Sequence, residues 1–141
     1  IKIYAMENIG NIISRFGLGL LMVWGGLEKL FQGFLGGVGL DAMTSFLKHL
    51  GMDFGDNGTY ALALWLALTE LAAGILILFN FKCFYAGLYA AFVLVVALLT
   101  YYVPAGNWMQ LMIHLALISA YVGLALSGYK SASKKGVALS A

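Results

Sequence analysis

The fold class this sequence predicts is an all-α integral membrane four-helix bundle with a short interfacial helix between its first and second spans. Three observations carry it. Of 141 residues, 62% are hydrophobic and 10% charged, with a mean hydropathy of +0.92, far from the balance of a soluble domain. Four windows, 9–31, 60–79, 84–103 and 108–127, are apolar throughout most of their length, and about 20 such residues cross a hydrocarbon core of about 30 Å. One proline and 18 glycines suit closely packed helices, while no long apolar-polar alternation supports barrel strands.

Composition also excludes function classes. The net charge of +2 is small and the lysines form no block with interleaved aromatics, so no nucleic-acid partner is expected. A single cysteine, Cys83, allows neither an internal disulfide nor a CxxC pair, which rules out a thiol oxidoreductase working alone. A cleavable signal peptide is not expected, because the first apolar segment is longer than a signal core and has no small-residue cleavage site behind it.

In chain order, residues 1–8 (IKIYAMEN) mix Lys2, Tyr4 and Glu7 with apolar side chains and read as an interfacial lead-in. The first span follows, with Gly17, Gly19, Gly25 and Gly26 offering flat packing surface. Residues 32–59 are glycine-rich at first, then amphipathic over 41–50. There Asp41 is a candidate cap, and Met43, Phe46, Leu47 and Leu50 share one face while Lys48 and His49 face water. The second span carries one carboxylate, Glu70, at its middle, and NFKCF makes a tight turn into the third. Pro104 and Gly106 end the third span, and Tyr101, Tyr102 and Trp108 form an interface belt. The fourth span holds His114 and gives way to a basic segment expected to be mobile, dividing the chain into a 1–129 transmembrane domain and a 130–141 cytoplasmic tail.

Orientation follows from the basic residues alone. Lys2, Lys82, Lys130, Lys134, Lys135 and Arg15 fall toward one face, Lys29 and Lys48 toward the other. The positive-inside rule then puts both termini inside and the glycine-rich loop outside, with the protein multi-pass.

Ionisable groups at membrane depth cost about 2.5 to 3.5 kcal/mol each near a helix centre and need a reason to be there. Glu70 is too deep to reach either headgroup region. Arg15 is the expected partner by depth, whereas Lys29 needs a tilted helix or a bridging water. Two readings stay open. In one, the charges form a salt-bridge network that fixes helix register. In the other, Arg15, Glu70 and His114 line a pocket for a quinone headgroup, a small sulfur species or protons. Glu28, Lys29 and Trp24 extend the candidate ligand set, since Trp24 and Glu28 are four residues apart on one helix face.

No catalytic residue is assigned. His49 with Asp53, or His114 with Glu70, gives only two ligands at no metalloprotease spacing, so no metal is assigned either. Neither a GxGxxG nor a serine elbow occurs. No intrinsic cofactor is therefore expected, and a quinone is the exogenous group the site could hold. The expected partners are the lipid bilayer and other membrane subunits or further copies of the chain.

An arginine opening the first span, then LGLLMVWGGLEKL, then TELAAGILILF, a short basic turn and two more apolar segments resembles the DoxX family. The resemblance spans residues 12–129 and rests most on Arg15, Gly26 with Lys29, and Glu70 with Gly74. It implies a compact four-helix membrane bundle accompanying redox partners, some relatives being subunits of thiosulfate:quinone oxidoreductase or quinol-oxidase assemblies. A membrane subunit or accessory of a quinone-linked redox complex is thus the leading expectation. The alternative is a structural subunit that packs against a larger membrane complex.

Overall fold

A computed structural model describes residues 2–140. Five helices organise them: α1 (Lys2–Leu30), α2 (Gly39–His49), α3 (Gly55–Leu78), α4 (Cys83–Ala97) and α5 (Trp108–Ser140), with no strand among the described residues. Four stretches are long and apolar enough to cross a membrane, Ala5–Leu30, Gly55–Leu78, Cys83–Ala105 and Trp108–Val137. The all-α membrane bundle is therefore observed, with α2 between its first two spans.

The packing is inside-out relative to a soluble protein. The buried positions are mostly small, among them Ala63, Ala67, Ala73, Ala86, Ala90 and Ala125, whereas Leu20, Trp65, Leu68, Phe92, Leu99 and Met112 are exposed. Lipid tails accept large apolar side chains as readily as a core does, so helices gain by bringing backbones together rather than by hiding leucines. Two tight pairs result. In α1–α3, a Cβ on Gly26 would lie 2.7 Å from the Ala67 carbonyl oxygen, and one on Gly74 would lie 2.6 Å from the Val23 nitrogen. In α4–α5, a Cβ on Gly87 would lie 2.9 Å from the Tyr121 carbonyl oxygen. The pairs are tied by fully buried Tyr121, whose hydroxyl donates to the Leu18 carbonyl at 2.7 Å, and by a hydroxyl bond between Thr69 and Tyr89.

Hydropathy misplaced the rod ends. The expected lead-in is helical from Lys2, because nothing between it and the first span breaks a helix. The segment assigned to the tail continues α5 to Ser140, in a stretch with no proline and many good helix formers. Asp41 does not cap α2. Val38 occupies that position and Asp41 sits in the first turn, where its charge suits the helix dipole. The face expected to be apolar does pack: Leu47 is buried and Phe46 meets Tyr101 edge-on at 5.0 Å.

The third span does not simply stop at Pro104. After Ala97 it widens into a π turn, Leu98–Tyr102, in which the Val103 N–H bonds the Leu98 carbonyl, then makes one short helical turn, Val103–Ala105. Proline cannot donate to the carbonyl four residues back, and its ring crowds the preceding turn. Each residue inserted into a helix rotates the downstream residues by about 100°. The widening accompanies the placement of Tyr101 against Phe46 and of Tyr102 against His114.

Candidate functional site

The register of α1 against α3 decides which charges meet. The chains run antiparallel, with Gly19 opposite Gly74 and Leu78, and Gly26 opposite Ala67 and Leu71. Glu70 therefore lies level with Gly25, whose missing side chain leaves space: a Cβ there would sit 3.1 Å from the Glu70 Oε2.

Lys29 closes this seam. Its Nζ donates to Glu70 Oε2 at 2.9 Å, to the Gly25 carbonyl at 3.0 Å and to Glu28 Oε1 at 3.3 Å, using all three ammonium hydrogens. Side chains on a helix lean toward its N-terminus, so Lys29 folds back along α1 and reaches Glu70 directly. The side chains are 14% exposed for Lys29, 22% for Glu28 and 7% for Glu70. Oε2 is the Glu70 oxygen that takes the ion pair.

Arg15, the partner expected from depth, does not join. It lies ten residues before Gly25, about 15 Å along the rod, level with the α3–α4 turn. Among the described residues it has no carboxylate within ion-pair distance. The error came from setting the two spans centre to centre. Helix α3 in fact projects past the end of α1, and α2 packs against that projection.

Trp24 and His114 flank the cluster. The Trp24 indole N–H donates to the Leu35 carbonyl at 3.1 Å and anchors the glycine-rich loop. There Gly33 and Gly36 take φ values of 81° and 83°, which a side chain would resist. The His114 Nδ1 donates to the Gln110 carbonyl at 2.8 Å, which in a neutral ring leaves Nε2 as an acceptor. Its ring lies 4.3 Å from that of Tyr102. Tyr102 thus packs against the His114 ring. Sequence reasoning placed it only in the interface belt, and the single hint of its role was Pro104 two residues on.

The ion cluster comprises two carboxylates and one ammonium, and the Tyr102 phenol and His114 imidazole form a ring pair. The cluster can exchange protons and can orient a polar carbonyl compound. Among the described residues no three His, Cys, Asp or Glu side chains converge as a metal would require.

The DoxX family model matches residues 10–103, from the first turns of α1 to the π turn that ends the third span. No curated protein and no solved structure matches the chain. Lys29, Glu70 and the glycines that seat them all lie within the matched region, which covers well over half of the sequence, and the chain belongs to the DoxX family.

Proposed function

We propose that this DoxX protein is a membrane subunit or accessory of a quinone-linked redox complex, with both termini cytoplasmic in the inner membrane of a bacterium or archaeon. One observation carries the reading: two carboxylates, Glu28 and Glu70, share the single ammonium of Lys29 in the α1–α3 seam. Fixing helix register needs one charge of each sign. A second carboxylate at membrane depth is costly and makes sense where protons are exchanged. In this reading Lys29 trades its Gly25 or Glu28 bond for a quinone carbonyl oxygen. Glu70 and Glu28 take up protons from water at the membrane surface and pass them to the quinone oxygens as a partner subunit supplies the electrons.

A specific observation favours the structural alternative. The Lys29 hydrogens are saturated, and among the described residues no buried side-chain nitrogen or oxygen lacks a partner. A pure register lock would look the same. The two separate on titrating the detergent-purified protein with a short-chain quinone and following tryptophan fluorescence, for which Trp24 is the near reporter. A quinone site gives saturable quenching that Glu70→Gln and Lys29→Met weaken at least tenfold in protein that still folds. Quenching that never saturates, or that both variants leave unchanged, overturns the site and leaves the lock.

A further inference from the structure

Helices α1 and α5 touch where Tyr121 reaches Leu18 and then part toward the end of the bundle that carries both termini. Between them opens a groove of about 1010 Å³, unrelated to the Lys29 cluster. We infer that this groove is a binding site for an acidic phospholipid of the surrounding membrane.

The groove is polar where the headgroups lie and apolar deeper in, on both of its walls. On α1 the lining passes from Asn8, Asn11 and Ser14 to Leu18 and Leu21; on α5 it passes from Lys134, Lys130 and Ser127 to Leu124 and Leu117. Two helices that run in opposite directions grade the same way with depth, matching an amphiphile whose head sits at the membrane surface. Lys130 and Lys134 are one turn apart on one face of α5, and both line the groove with only Glu7 as a facing acid. A basic recess between membrane helices at the cytoplasmic surface suits an anionic headgroup.

The glycines agree. Those in the helix pairs are held against backbone, but Gly10, Gly17 and Gly123 line the groove and have nothing within 4 Å of where a Cβ would be. They leave a smooth floor open to an occupant from outside the chain. That floor, the two lysines and the same polar-to-apolar grading on both walls suit one anionic amphiphile.

The test is native mass spectrometry of the full-length protein from nanodiscs of phosphatidylcholine with a minor share of phosphatidylglycerol. Expected is retention of phosphatidylglycerol out of proportion to its share, reduced on the order of tenfold by K130Q/K134Q and unchanged by K48Q, which removes a lysine elsewhere. Gly17→Phe fills the groove without altering charge and should expel the lipid while the protein stays folded. Retention in proportion to supply, equal loss in K48Q, or full retention in G17F overturns the inference. So does a dimer that G17F dissociates with no bound lipid.

Discussion

The α1–α3 and α4–α5 seams solve one problem in two ways. Both bring backbones together over glycine, at Gly26 and Gly74 in one and at Gly87 in the other. The α4–α5 seam is completed by alanines and by buried Tyr121, with no buried charged side chain in it among the described residues. The α1–α3 seam buries Glu70 and Lys29 at the same closeness of approach. Small residues alone therefore suffice to pair helices in this bundle, and the charges on one seam go beyond what packing requires.

Variants can break or sharpen that contrast. The largest effect is expected from Gly26→Leu, which drives a side chain into the Ala67 carbonyl and the Leu71 backbone. It should cost about 3 kcal/mol or more, read as loss of folded protein in detergent melts, while Gly123→Leu, in open space, should stay within about 0.5 kcal/mol. Next comes Lys29→Met, which strands two carboxylates and should cost about 3 to 5 kcal/mol by unfolding in mixed micelles. Arg15→Met should cost clearly less in the same assay, because no ion pair is broken. Gly87→Ala should cost about 1 to 3 kcal/mol and leave quinone quenching as in the wild type, separating seam stability from ligand binding.

The smallest effect lies outside the membrane. Lys48 pairs with Asp56 across the α2–α3 junction, and that bond raises the Lys48 pKa above its ordinary 10.5. A raised lysine pKa stabilises the folded state at neutral pH, and the contribution fades as pH climbs through the folded value. The pair is solvent-exposed and salt-screened. Lys48→Ala should lower the melting temperature slightly at neutral pH, and the difference from wild type should vanish in strong alkali.

Hydropathy was enough to read the four spans and the apolar face of α2, because lipid as solvent selects on length and composition alone. It could not place the rod ends, since crossing a membrane and remaining helical are separate requirements: Lys130 and Lys134 are too polar for the hydrocarbon yet helical. Glu70 was recognisable as a group needing a partner, but its partner depended on register. Register is set by contacts between Gly19, Gly26 and Gly74, far apart in sequence. The lean of helical side chains toward the N-terminus was the available clue for Lys29 over Arg15. Tyr102 was hidden by a π turn that only Pro104 foreshadows.

A double-mutant cycle on Lys29 and Glu70, with Lys29→Met, Glu70→Leu and the pair unfolded in mixed micelles, tests most directly whether one ion pair locks α1 to α3. Strong coupling is expected, about 2 kcal/mol or more, with the double variant recovering much of the stability lost by either single one. Additive losses, with coupling indistinguishable from zero, would mean that the two side chains do not meet inside the membrane.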